Sequence, residues 1–165
     1  MRCALSKGRT EIVCRDNVGG VKAIYLAKYE YYPNASIVRN GQEVTSFPST
    51  TLFKYETENA NFSETINNDE NGVSYSQSLE FTLTKSDLIT TLELDRAQRI
   101  DLRFVVEFND GSFRFGGLYH GAKIERYTIE SGSSKASLNG YNITITSEEE
   151  ISAPFVNIDI FSSEF

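Results

Sequence analysis

In VSYSQSLEFTLT, residues 73–84, apolar and polar positions alternate with period two. Val73, Tyr75, Leu79, Phe81 and Leu83 share one face, with Gln77 its one polar member, and Ser74, Ser76, Ser78, Glu80, Thr82 and Thr84 occupy the other. Successive side chains of a strand point to opposite sides, so this segment predicts a long strand with one oily and one hydroxyl-rich face. The oily face belongs on a core. What the hydroxyl-rich face looks at is the question that bears on function.

The rest of the chain continues in the same idiom. GGVKAIYLAKYEYY opens on a glycine pair and reads as a strand dense in β-branched and aromatic residues. Residues 33–50 are rich in Asn, Gly, Ser, Thr and Pro and predict a loop holding a short hairpin around Asn40-Gly41. TLFKYE and FSETIN are two short strands, and NNDENG is a polar turn that joins FSETIN to the opening strand in a long hairpin. Residues 86–97 predict the one helix, with Ser86 as N-cap, Asp87 favouring the helix dipole, and Leu88, Ile89 and Leu92 as its buried stripe. IDLRFVVEF turns at Asn109-Asp110-Gly111 into SFRFGGLY. AKIERYTIES and YNITITSEEE are further strands separated by GSSKASLNG, and APFVNIDIF is apolar enough to dock on the body. Many strands, one helix and no βαβ alternation predict a mainly β single domain: an antiparallel β-sandwich or curled barrel with one flanking α-helix. Its parts are an N-terminal arm (1–20), the 33–50 loop, the helix and a C-terminal extension (151–165).

Composition agrees with a globular chain. Its 165 residues are 39% hydrophobic and 12% aromatic, with no Trp, enough for one packed core. The net charge of -7 argues against a protein that grips nucleic acid, because that affinity comes mostly from Lys and Arg on phosphates. The charge is unevenly spread. Residues 1–22 hold five basic and two acidic residues, a net +3, which leaves eleven basic against twenty-one acidic elsewhere, a net -10. A basic arm on an acidic body can pair with a copy of that body. No apolar run of membrane-spanning length occurs and the N-terminus lacks a signal-peptide core, so no membrane partner and cytosolic synthesis are expected. Cys3 and Cys14 match neither a zinc knuckle nor a redox C-x-x-C spacing and are expected as free thiols. Sequons occur at Asn34, Asn61 and Asn142, the last inside a predicted strand where a glycan fits poorly.

Candidate chemistry is thin. His120 is the only histidine, set in a glycine-flanked turn with no HExxH or GxSxG beside it. Glu148, Glu149 and Glu150 form a charge run that reads as a solvated strand end. NNDENG lacks the alternating ligands and distal Glu of a calcium loop, and no Lys-Ser/Thr follows Gly116-Gly117 as a phosphate loop requires. No catalytic residue, no metal ligand set and no cofactor are therefore assigned.

The order of segments resembles tail tube proteins of tailed bacteriophages, particularly those infecting Bacteroidetes-type hosts. The resemblance is carried by GRTEIVCRDNVGGVKAIYLAKYEY, LFKYETENANFSETINNDENGVSYSQSLEFTLTK, the EFNDGSFRFGGLYHGA hairpin and YNITITSEEEISAPFV. It implies a non-enzymatic virion protein, assembled in the bacterial cytoplasm, whose copies close into a ring, usually a hexamer. The rings stack into a tube or form an adaptor, an option left open by the extra tail NIDIFSSEF. Partners would be copies of itself and other tail proteins, with DNA passing through unbound. Ser74, Ser76, Ser78, Glu80, Thr82 and Thr84 would then line the channel. Arg2, Lys7, Arg9 and Arg15 of the arm and Asn67, Asn68, Asp69 and Glu70 of the hairpin tip would make inter-subunit contacts. The alternative is a carbohydrate-binding or adhesin β-sandwich, against which stand the lack of Trp and of a signal peptide. A hydrolase has no nameable site.

Overall fold

The computed structural model describes residues 19–57 and 59–161. Among these described residues eleven strands form two sheets. The larger contains β1 (Val21–Lys28), β2 (Val38–Asn40), β3 (Glu43–Ser46), β4 (Phe53–Glu56), β7 (Leu102–Phe108), β8 (Phe113–Gly116) and β11 (Phe155–Val156), in the order β2-β3-β11-β8-β7-β1-β4. The smaller contains β5 (Asn59–Asp69), β6 (Gly72–Thr84), β9 (Lys123–Glu130) and β10 (Gly140–Glu149), in the order β5-β6-β10-β9 with every pairing antiparallel. The helix α1 (Leu88–Ala97) follows β6. The mainly β sandwich with one flanking helix is the expected class, and neither sheet closes into a barrel. Among the described residues no helix is long and apolar enough to cross a membrane.

The central strands β1 and β7 of the larger sheet are buried on both faces, which explains why VKAIYLAK and LRFVVEF are apolar runs rather than alternations. One face carries Ile24, Leu26, Phe104 and Val106 and packs against Leu79, Phe81, Ile143 and Ile145 of the smaller sheet. The other carries Ala23, Tyr25, Val105, Phe115 and Val156 and is covered by Phe47, Leu52 and Phe161. The C-terminal extension thus docks as expected, and does more: β11 inserts between β3 and β8, parallel to the first and antiparallel to the second. The hairpin expected at Asn40-Gly41 is β2–β3, and Gly41 takes the left-handed φ of 64° that its turn requires. The turn after β7 is likewise as read, with Asp110 Oδ1 accepting from Ser112 N at 2.9 Å.

Two local expectations need correction. The first is the helix. Asp87, not Ser86, is the N-cap; its Oδ1 accepts from Thr90 N at 2.6 Å. Leu94 and Ala97 are the buried residues, while Leu88, Ile89 and Leu92 face outward. The cause is a polar anchor. Tyr141 Oη lies 2.6 Å from Thr91 Oγ1 and 3.0 Å from the Asp87 carbonyl it donates to, so the face bearing positions 87, 91 and 94 turns inward. The second is the hairpin tip. Asn67, Asn68 and Asp69 continue β5 rather than form the turn, because Asn67 Nδ2 donates to Ser76 Oγ at 2.8 Å and Asp69 Oδ1 accepts from Asn71 N at 2.8 Å, which confines the reversal to Glu70-Asn71.

Truncation separates the two helix faces. Leu94→Ala should cost about 2–5 kcal/mol and Phe81→Ala about 3–5 kcal/mol by cavity formation, whereas Leu92→Ala should stay within about 0.5 kcal/mol. Urea unfolding of the three variants reads this out; a larger loss at Leu92 than at Leu94 would mean that the helix is rotated the other way.

Candidate functional site

The alternation of β6 is answered by its neighbours, so the hydroxyl-rich face becomes a polar surface four strands wide. Register places Asn59, Thr82, Asn142 and Thr128 in one row across the sheet. The next rows are Asn61, Glu80, Thr144, Arg126 and then Ser63, Ser78, Thr146, Lys123. Thr65, Ser76 and Glu148 follow, and Asn67 with Ser74 ends the series toward the hairpin tip. No apolar side chain interrupts these rows. All six residues expected to share a face, Ser74, Ser76, Ser78, Glu80, Thr82 and Thr84, do so, opposite buried Leu79 and Phe81.

Cross-strand hydrogen bonds knit the face. Ser76 Oγ donates to Glu148 Oε1 at 2.6 Å while accepting from Asn67, and Thr82 Oγ1 donates to Asn142 Oδ1 at 2.9 Å. These bonds hold short side chains flat around a shallow depression of about 310 Å³ bordered by Asn59, Asn61, Glu80, Arg126, Asn142 and Thr144, and a second of similar volume lies toward Lys123, Thr146 and Glu148. By register, Glu80, Glu130 and Glu148 supply negative charge to this face, and the two cations, Lys123 and Arg126, are confined to the edge strand β9. Reading β6 alone missed the cations and amides supplied by β5, β9 and β10; the signal was present in the alternation of NANFSETIN and YNITIT, which carries the same period.

Of the residues expected at subunit contacts, Asn67, Asn68, Asp69 and Glu70 lie together at the exposed end of the β5–β6 hairpin. Arg2, Lys7, Arg9 and Arg15, with Cys3 and Cys14, lie outside the described residues. Among the described residues no group of three or more His, Cys, Asp or Glu side chains is placed to hold a metal ion.

His120 sits at residues 117–122, a connection between β8 and β9 that is held with unusual investment. Gly117 N donates to Gln77 Oε1 at 3.1 Å, and Arg103 Nε donates to the Leu118 carbonyl at 3.0 Å. Tyr29 Oη donates to the Tyr119 carbonyl at 2.7 Å, and Ser147 Oγ to that of Gly121 at 2.7 Å. Glu149 Oε1 accepts from both Tyr119 N and His120 N, at 3.1 and 2.9 Å. Gln77, Arg103, Ser147 and Glu149 are four of the five buried polar side chains described, so nearly all buried polarity serves this one loop. Arg103 is held further by the faces of Tyr29, Tyr32 and Phe47, with its guanidinium carbon 4.3 Å from the Tyr29 ring centre. The histidine as a turn residue is as read; its Nε2 lies 3.8 Å from Glu150 Oε1 and half its side chain meets solvent.

The reading of the Glu148–Glu150 run as a solvated strand end holds for its outer members and fails for Glu149. Strand alternation turns Glu149 inward, where it is buried and its Oε2 lacks a hydrogen-bond partner. Burial pushes its carboxyl above the ordinary range, opposed by the two backbone N–H donors and by the charges of His120 and Arg103.

No family model, no curated protein and no solved structure matches the chain.

Because its folded-state pKa is raised, Glu149 favours the folded state most when protonated, and that contribution is lost as pH rises from about 4.5 through the raised value. Glu149→Gln keeps an acceptor for both N–H groups without the charge. Chemical denaturation across pH 4 to 7 should show the native chain losing stability relative to Glu149→Gln as pH rises; a constant difference between the two would remove the assigned burial cost.

Proposed function

We propose that the protein is a non-enzymatic structural subunit of a bacteriophage tail, whose copies join edge to edge into a ring with the polar sheet face lining a channel for DNA. The reading rests on one observation: the four-stranded sheet combines an uninterrupted polar outer face with two edge strands, β5 and β9, that each have one unpaired side among the described residues. Three antiparallel pairings separate those edges, so β5 and β9 run in opposite directions. A copy rotated about an axis along the strands therefore presents its β5 antiparallel to β9 of its neighbour. Head-to-tail repetition of that contact closes a ring and leaves no edge exposed. The charges at Lys123, Glu125, Arg126 and Glu130 on β9 oppose indiscriminate pairing and favour one register.

The chemistry of the face suits passage better than retention. Short hydroxyls and amides already bonded to one another offer phosphates little. Three carboxylates per copy outnumber the two cations, so few counterions would be released on contact with DNA. The phage-tail identity, assembly in the host cytoplasm, contact with other tail proteins and a place in the virion tail follow instead from the resemblance of the order of segments to tail tube proteins.

Negative-stain electron microscopy of the purified full chain is the test: rings or tubes with a central hole are expected, and a strictly monomeric protein under every assembly condition would overturn the reading. In the same preparation, native rings should not retain double-stranded DNA at physiological salt. Ser76→Lys combined with Ser78→Lys should leave the fold intact and create salt-dependent retention. Strong retention by the native protein would contradict a non-adhesive bore.

A further inference from the structure

Two of the exposed apolar surfaces among the described residues lie at opposite ends of β6. At one end the β5–β6 hairpin runs past its own sheet, because the last pairing of β10 with β6 is Glu149 with Tyr75. Ile66 sits in that last row and Val73 lies beyond it, where β10 no longer pairs with β6; they are 60% and 46% exposed. At the other end Leu88, Ile89 and Leu92 of α1 are 48–75% exposed. Ile129, 56% exposed, lies across the sheet from the Tyr141 that anchors the first turn of the helix. Apolar side chains grouped in this way mark a contact surface rather than scattered exposure.

These surfaces cannot cover each other within one molecule. Nine to eleven residue steps of β6 separate Tyr75 and Val73 from Thr84, and a strand rises about 3.3 Å per residue, so the surfaces are about 30–36 Å apart. Their charges also match. Asp69 and Glu70 cap the hairpin. Lys85 immediately precedes the helix, and the segment carrying Lys135 is tied to it through Lys85 N to the Asn139 carbonyl and Ser86 Oγ to Asn139 Oδ1. Neither lysine has an ion pair among the described residues. The carboxylates on and beside α1 are engaged: Asp87 caps Thr90 and feels the Lys85 charge, Glu93 and Asp95 pair with Arg96 and Arg99, and Glu130 ends β9.

We propose that the overhanging β5–β6 hairpin of one copy docks on the outward apolar side of α1 in a second copy, with Ile66 and Val73 against Leu88, Ile89 and Leu92 and the acidic tip against Lys85 and Lys135. The contact is heterologous and its two halves lie at opposite ends of β6, so repeating it along the strand direction builds an open stack rather than a ring. It rests on the ring reading only for its consequence: several such contacts acting together would stack one ring on the next, where a single small patch would hold weakly.

Cross-linking tests the contact independently of rings. In a Cys3→Ser, Cys14→Ser background, chains carrying Ile66→Cys and chains carrying Ile89→Cys are mixed and treated with a short bis-maleimide. Mixed dimers in excess of either homodimer are expected, and their absence overturns the proposal whether or not rings form. Mixed dimers without rings would uphold it and count against the ring reading instead. Charge reversal supplies the specificity control: Asp69→Lys with Glu70→Lys, or Lys85→Glu with Lys135→Glu, should each reduce the mixed dimer at least several-fold, and combining one variant of each kind should restore it. Undiminished dimers in the single sets, or no restoration in the combination, would overturn the assigned pairing.

Discussion

The packing of Leu79, Phe81, Ile143 and Ile145 against Ile24, Phe104 and Val106 decides which side of the four-stranded sheet faces out. Strand periodicity leaves no intermediate choice: once the apolar set is buried, the residues that alternate with it in β5, β6 and β10, from Asn59 and Thr82 to Glu148, must share the opposite surface. Slipping any one strand by a residue would bury a row of hydroxyls and expose its core. The polar face is thus a consequence of the core, and its breadth reflects four strands keeping the same phase.

A second constraint acts at the side of the sandwich. The 117–122 connection has to pass between two sheets with its backbone polar groups out of water, and an unmet group there would cost about 1–3 kcal/mol. Gln77, Arg103, Ser147, Glu149 and Tyr29 supply those partners from four separate parts of the fold. Gly121 completes the fit, since its φ is 78° and a Cβ there would come within 3.1 Å of the Tyr29 ring. The inward-facing Glu149 carries the cost of this arrangement as a desolvated carboxyl. Fixing this connection also fixes where β9 begins, and hence where the free edge of the smaller sheet stands relative to β10.

What was legible in the sequence followed local rules. The two faces of β6, the Asn109-Asp110-Gly111 turn, the Asn40-Gly41 hairpin and the docking of the C-terminal segment are set by periodicity, turn chemistry and apolar content, and all appear in the fold. What was not legible depends on residues far apart in the chain. The rotation of α1 is set by Tyr141, fifty residues beyond Thr91, and overrides the apolar spacing of Leu88, Ile89 and Leu92. The burial of Glu149 inside an acidic run, and the strand contributed by Phe155–Val156 between β3 and β8, likewise need partners that no local window contains. The polar face was visible one strand at a time, but its cations became apparent only when register set Lys123 and Arg126 beside Thr146 and Thr144.

The central claim is that β5 of one copy pairs with β9 of the next. Amide hydrogen exchange, comparing dilute monomer with the assembled form, addresses it residue by residue. The account predicts new protection in β5 and β9, the two outer strands of the smaller sheet, with β6 and β10 already slow in both states. Unchanged exchange in β5 and β9 on assembly, with protection appearing instead on β2 or β4 at the ends of the larger sheet, would contradict it.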